Sequence, residues 1–392
     1  MLLIRVLFWS WLIIAAVSAR ADPVPVLIGI DAEFGMVGST SAQAVRLGAQ
    51  IAVDEINAAG GVLGGRPLAL VEKDNRSVPA RSIRNLQELA ADPNVVAVLC
   101  GKFSPTVIEA VPEVHRLKLP LLDPWAAADG ITTHNFRPNY VFRLSLRDSW
   151  AMEALFRYAG QRGAHRVGLL TPNTEWGRSN LQAAQALDQT DAQIHLVDIQ
   201  WYNWGDSSLL EQYQMLRKAG ADGVIFVSNE REGIILIKEI AALPKEQRLP
   251  IFSAWGITGG NFFTGSGPAL REVDLTVVQT YSFIDAQDPV AQRVVQGAQR
   301  YGVAGPRQIE SPVGVAHAYD LVQILARAIA IAGSTDREAL RSALEKVTDY
   351  AGLVKTYPQP FTADRHDALS PQDVFMARYA EDGAIIRIAP AP

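Results

Sequence analysis

Cysteine is almost missing: the 392 residues hold one, Cys100, so no internal disulfide is available and the apolar core must supply the stability. Cys100 ends an apolar strand, where a buried, unreactive thiol is expected. An excess of either charge is missing too. The chain has 36 Lys and Arg against 41 Asp and Glu, a formal net charge of -5, and no block of like charge, which argues against nucleic acid as a partner. Signatures of catalysis are also lacking. There is no Gly-x-Gly-x-x-Gly after the first strand, no Gly-x4-Gly-Lys-Ser/Thr loop, no Gly-x-Ser-x-Gly elbow and no His-Glu-x-x-His pair. The six histidines are scattered and none pairs with another at metal-ligand spacing, so neither a metal nor another cofactor is expected. His366-Asp367 lies in the polar loop 362–372 and reads as a turn whose Asp bonds the backbone, not as an acid/base dyad.

What remains is an ordinary soluble composition, 48% hydrophobic and 20% charged, at a length that suggests two domains. The start of the chain sets the compartment. Arg5 sits in an apolar stretch, 2–17, that also holds Phe8, Trp9 and Trp11, and the small-x-small pattern Ala19-Arg20-Ala21 follows. The run is shorter than the ~18–20 residues of a spanning helix, so residues 1–21 are expected to be a cleaved secretory signal peptide. No Cys lies near the cleavage point to carry a lipid, and the exported protein is expected to be free rather than anchored.

Beyond the leader, short runs rich in Val, Ile and Leu alternate with helical periods, the pattern of parallel sheets wrapped by helices. Strands are expected at 24–30, 67–72, 95–100, 119–122, 166–170, 194–199, 223–227 and 250–253. The segment 44–59 carries Val45, Gly48, Ala52, Ile56 and Ala59 at spacings of three and four, one helical face turned to a sheet. Two blocks, 24–143 and 144–275, each read as a doubly wound lobe. A third holds a strand at 275–283, helices near 289–301, 312–332 and 336–347, and a strand at 374–379; it is too short for its own core and completes the first two. The chain then crosses between lobes near 142–146, 277–281 and 352–357. The expected fold is therefore α/β, with two doubly wound Rossmann-like lobes joined by a three-crossover hinge: 22–143 plus about 280–352, and 144–279 plus about 353–392. Such sheets bind ligands beyond the carboxyl ends of their strands, so facing lobes place a site in the cleft between them.

The segments after the strands carry the chemistry. Gly60-Gly61-Val62-Leu63-Gly64-Gly65 follows a helix, so it reads as a C-cap and tight turn, not a phosphate cradle. Gly101-Lys102-Phe103-Ser104-Pro105-Thr106 joins a strand to a helix whose free N–H groups face the cleft, although Ser104 taken alone reads as a cap of its own helix. Trp125, Trp176 and Trp255 each follow a strand, and three large rings at strand ends in both lobes predict an aromatic-walled pocket.

Several stretches resemble the type I periplasmic binding proteins of the branched-chain amino acid and amide group. They are the helix and turn Gly48-Ala49-Gln50-Ile51-Ala52-Val53-Asp54-Glu55-Ile56-Asn57-Ala58-Ala59-Gly60-Gly61-Val62-Leu63-Gly64-Gly65, the segment Asp74-Asn75-Arg76-Ser77 with Pro79, the crossover Val141-Phe142-Arg143, and Ala318-Tyr319-Asp320 in a late helix. Together they span nearly the whole exported chain. The resemblance implies a periplasmic protein that closes on a small molecule and presents it to an inner-membrane ABC permease. A ligand sensor docking on a signalling receptor is the alternative within the same fold, and a secreted α/β enzyme is a more distant one.

In that family a hydroxyl at the helix start after the Gly101 turn and a Thr in the loop after Pro124 hold the ligand carboxylate, and an acid after a later strand meets the ammonium. Here the hydroxyl position falls on Pro105, with Ser104 and Thr106 beside it, and the Thr position falls on Ala127. A second-lobe tyrosine corresponds to Trp176 and the ammonium-binding acid to Trp255. A buried ammonium without a carboxylate costs several kcal/mol, so these departures point to a carboxylate or amide ligand with an aromatic or apolar body. Glu230, which opens the helix after Val227, is the substitute acid; Lys102 and Arg231 are candidate counter-charges expected on solvated faces. The expected ligand-binding set is Phe34, Ser39, Thr40, Phe103, Ser104, Thr106, Trp125, Ala126, Ala127, Trp176, Glu230, Trp255 and Tyr281.

Overall fold

The computed structural model describes residues 23–190, 193–284 and 286–389, so the expected signal peptide lies outside them. Near-continuous runs of Val, Ile and Leu form strands buried on both faces, as parallel sheets require. Five of them, β1 (Val26–Ala32), β2 (Leu68–Asp74), β3 (Val95–Cys100), β4 (Leu121–Asp123) and β5 (Val141–Arg143), make one all-parallel sheet in the order β2-β1-β3-β4-β5. The second sheet holds β6 (Arg166–Pro172), β7 (His195–Tyr202), β8 (Gly223–Phe226), β9 (Ile251–Ser253) and β10 (Leu275–Gln279), all parallel. A short ladder of β11 (Tyr350–Ala351) and β12 (Thr356–Tyr357) precedes β13 (Phe375–Tyr379), which pairs antiparallel with β10, and β14 (Ile385–Arg387), which pairs antiparallel with β13. The order of that sheet is β14-β13-β10-β9-β8-β6-β7.

Helices α1 (Ser41–Ala58), α2 (Pro79–Ala91) and α3 (Ser104–Arg116) alternate with the first strands. The second sheet is served by α4 (Asp148–Gln161), α5 (Glu175–Asp188), α6 (Leu210–Lys218), α7 (Glu230–Ala241) and the single turn α8 (Phe262–Ser266). After β10 the chain returns to the first sheet as α9 (Pro289–Gln299), α10 (Pro312–Ala332) and α11 (Arg337–Leu344), with α9 and α10 both packing on α1. Gly48 lets α1 and α10 approach closely, because a Cβ there would collide with the Val315 carbonyl. Asp320, buried on α10, accepts from the Tyr350 and Tyr357 hydroxyls (2.7 and 2.8 Å) and from the Leu353 and Val354 N–H groups (2.7 and 2.9 Å). Those bonds pin the return of the chain toward the second sheet.

Three expectations need correction. The strand expected at 275–283 ends at Gln279, and Val277 and Val278, expected in a crossover, are still paired with Ala377 and Met376. The second sheet is not wholly parallel, since β13 and β14 close its edge. The loop at 362–372 is no simple polar turn. Asp367 accepts from the buried Arg143 guanidinium at 2.6 Å instead of from its own backbone, and His366 Nδ1 bonds the Val141 carbonyl at 2.7 Å. Cys100 is buried as expected, and burial pushes its thiol pKa well up.

Candidate ligand-binding cleft

The carboxyl ends of strands in both sheets converge on one small cavity. After β3 come Lys102, Phe103 and Ser104; after β4, Trp125 and Ala127; after β6, Trp176; after β7, Trp204; after β8, Asn229; after β9, Trp255 and Gly256. The free volume is about 10 Å³, about that of a single water. Trp125 and Trp255, from opposite lobes, meet at 6.0 Å between ring centroids with planes at 54°. Phe103 and Trp204 meet edge to face at 5.4 Å.

Neighbouring residues fix these rings. Gly314 on α10 leaves room for Trp125, since a Cβ there would lie 2.5 Å from the ring, and Gly256 does the same for Trp176 at 2.7 Å. His317 Nδ1 donates to the Pro124 carbonyl at 2.7 Å, which leaves Nε2 to accept from Thr280 Oγ1 at 3.0 Å. Burial lowers the His317 pKa to about 4, so the ring is neutral and ties the Trp125 loop to α10. Trp176 Nε1 donates to Asp148 at 3.0 Å, and burial of that carboxyl, with Asp129 nearby, raises its pKa to about 7.

One ion pair crosses the cleft. Lys102 Nζ lies 2.5 Å from Glu230 Oε2, with the two side chains only 1% and 5% exposed. The same ammonium sits 5.0 Å from the Phe103 ring centroid and 3.4 Å from the Gly259 carbonyl. Lys102 is therefore not on a solvated face as expected, whereas Arg231 is exposed. Glu33 is buried close by and accepts from the Ser41 hydroxyl; burial raises its pKa, against the pull of Lys102 and Ser41.

Backbone contacts also join the lobes. Thr40 N–H donates to the Gly259 carbonyl at 2.7 Å, Asn261 N–H to the Gly38 carbonyl at 2.9 Å, and Ser311 Oγ to the Thr258 carbonyl at 2.8 Å. Ser39 Oγ donates to the Gly259 carbonyl at 3.2 Å, and within the first lobe Thr40 Oγ1 pairs with Ser311 Oγ at 2.8 Å, which holds the two donors side by side.

Of the expected set, Phe103, Ser104, Trp125, Ala127, Trp176 and Trp255 line the cavity together. Ser104 does not cap its own helix; its Oγ accepts from the Ala127 and Ala128 N–H groups at 3.1 and 3.2 Å. Ser39 and Thr40 make the inter-lobe contacts just described, and Glu230 stands behind the wall, held by Lys102. Four others lie elsewhere. Phe34 is half-buried against the core; Thr106 lines a second small cavity with Asp31 and Glu33; Ala126 N–H donates to Asp123 at 2.8 Å; and Tyr281 packs edge to face on Phe283 at 4.9 Å. Trp204, Asn229 and Gly256 are additions. Trp204 carries the same signal as the other three tryptophans, but the strand before it runs to Tyr202, beyond the expected end at 199. Among the described residues no group of three or more His, Cys, Asp or Glu gathers as a metal site.

Two α/β lobes whose strand ends face each other across a cleft, with the chain crossing three times, define the type I periplasmic binding class. The sequence profile of the family described as periplasmic binding protein matches residues 27–384, and the chain belongs to that family. It is 22% identical over 306 residues, 77% of each chain, to the leucine-, isoleucine-, valine-, threonine- and alanine-binding protein of Pseudomonas aeruginosa. A type 1 periplasmic binding protein from Bordetella pertussis Tohama I superposes with TM-score 0.82 at 20% identity, covering 93% of this chain and 100% of that one. An ABC-transporter solute-binding protein from R. palustris, solved with benzoate, superposes with TM-score 0.77 at 18% identity, covering 93% and 95%. A solute-binding role and a periplasmic location follow from the family.

Proposed function

We propose that the protein is the solute-binding component of an ABC importer, taking a small carboxylate with an aromatic or apolar body into the inter-lobe cleft and delivering it to the membrane permease. One observation carries this reading: Trp125, Trp176, Trp204, Trp255 and Phe103 wall the cavity, while no acidic side chain among the described residues lines it, and Glu230 is held by Lys102 and Asp148 by Trp176. Apolar ring faces offer burial energy to a hydrophobic body, and an α-ammonium finds no free carboxylate. The benzoate held by the R. palustris protein agrees with that preference, whereas the Pseudomonas aeruginosa protein is named for aliphatic amino acids.

Residues 22–143 with about 280–352, and 144–279 with about 353–392, move as two bodies about the three crossovers in this reading. A cavity of about 10 Å³ admits no organic acid, so uptake needs the lobes to part and the Trp125 and Trp255 rings to separate. A thermal-shift screen of the exported protein against benzoate, phenylacetate, isovalerate, acetamide and leucine tests the ligand class, because a ligand bound to the native state raises Tm by mass action. Stabilisation by the carboxylates but not by leucine is expected. Stabilisation by leucine alone overturns the ligand assignment.

A further inference from the structure

Two indole N–H groups at the cleft have nothing to donate to. Trp125 is 1% exposed and its Nε1 is buried without an acceptor; Trp204 Nε1 is buried and unpaired as well. Trp176 in the same wall differs, because its Nε1 is satisfied by Asp148. An unpaired buried donor is costly and uncommon in native structures, and here two occur on the lining of one cavity. Of the other polar side chains there, Asn229 carries both a donor and an acceptor, while two are donors only. Lys102 has only donors, and Ser104 Oγ already accepts from two backbone N–H groups, so its own proton is left to give. Buried oxygens without a donor do exist among the described residues, such as Asp123 Oδ2, Thr106 Oγ1 and Asp148 Oδ2, but none of them lines this cavity.

We propose that the indole N–H groups of Trp125 and Trp204 are the hydrogen-bond donors to the ligand, so that the cleft selects a head group made only of acceptors, a carboxylate with no ammonium on the adjacent carbon. This rests on the cleft being the ligand site. Recognition is thereby moved from the hydroxyl positions, now Pro105 and Ala127, onto two tryptophans that also supply the apolar wall. A Trp-to-Phe change keeps an aromatic ring and removes only the donor and part of the ring area.

The experiment records indole ¹⁵N–H spectra of the exported protein while benzoate, phenylacetate, isovalerate and phenylalanine are added in turn. Trp125→Phe and Trp204→Phe assign the two signals and are themselves titrated; Trp176→Phe is the control, its donor being already engaged. The expected result is a downfield shift of the Trp125 and Trp204 signals with a carboxylate and none with phenylalanine. Loss of either donor should weaken carboxylate binding about tenfold, the usual consequence of removing a hydrogen bond to a charged group. Two moving signals in the unsubstituted protein read the proposal even if a variant fails to fold. Carboxylate binding with both signals unmoved overturns the donor assignment alone. Failure of all three carboxylates to bind, or a shift with phenylalanine, overturns the ligand class with it.

Discussion

Glu230→Gln is the most informative single change, because it acts on a pair that exists only while the lobes are together. Lys102 follows β3 in one lobe and Glu230 opens α7 in the other, 2.5 Å apart and almost wholly buried. With the lobes apart both groups regain water. With the lobes together the variant leaves the ammonium facing a neutral amide and, at 3.4 Å, the Gly259 carbonyl, with Glu33 as the remaining acid in the neighbourhood. Removing one partner of a buried ion pair costs about 3–5 kcal/mol, which lowers the closed-to-open ratio of the unliganded protein by roughly 10²- to 10⁴-fold. Small-angle scattering of residues 22–392 reads the change, since a compact chain of that length has a radius of gyration of about 21 Å and hinge opening enlarges it. Lys102→Met combined with Glu230→Leu should restore the compact form, as apolar replacement of a buried pair is often neutral or better. Scattering identical to the parent in Glu230→Gln would refute the argument that this pair holds the lobes together.

Three further outcomes follow from the packing. Asp148→Asn should stabilise the protein at pH 8 and hardly at pH 4. The folded-state pKa of about 7 stands above the unfolded value, so the native carboxyl keeps its proton until pH rises through 7 and stability is lost between about pH 4 and 7; the amide removes that loss, by about 2–4 kcal/mol in denaturant titrations. Gly48→Ala places a methyl group against the Val315 carbonyl and should cost about 1–3 kcal/mol, seen as a lower Tm with ligand specificity unchanged. Asp320→Ala leaves the Tyr350 and Tyr357 hydroxyls and two backbone N–H groups without their acceptor, so hydrogen exchange should quicken at Leu353 and Val354 before it does elsewhere.

Much of this architecture is legible in the sequence because buried parallel strands and amphipathic helices write strong patterns. β3 and α10 fall at their expected bounds, and the wall of Trp125, Trp176 and Trp255 follows from where tryptophans stand relative to strand ends. What escapes does so for physical reasons. β14 has three residues, too few for a periodicity to show. Lys102 looks like any loop lysine, because the carboxylate that makes its burial tolerable lies 128 residues away in the other lobe. Asp367 reads as a turn former, yet a pairing with Arg143 across 224 residues claims it. Ser104 sits where a cap belongs, but the loop after β4 reaches its hydroxyl first. Local patterns therefore reveal which elements form, while pairings between distant charged or polar groups emerge only once the lobes are assembled.

Calorimetric titration of benzoate into the exported protein and into Trp255→Ala tests the central claim most directly, that a solute is enclosed between the aromatic walls of the two lobes. Removing roughly 50 Å² of ring face at ~25 cal/mol per Å² forfeits about 1.3 kcal/mol, so affinity should fall about tenfold while the one-to-one stoichiometry and the fold persist. Equal affinity in the two proteins, or heat from leucine and none from benzoate, would contradict the account.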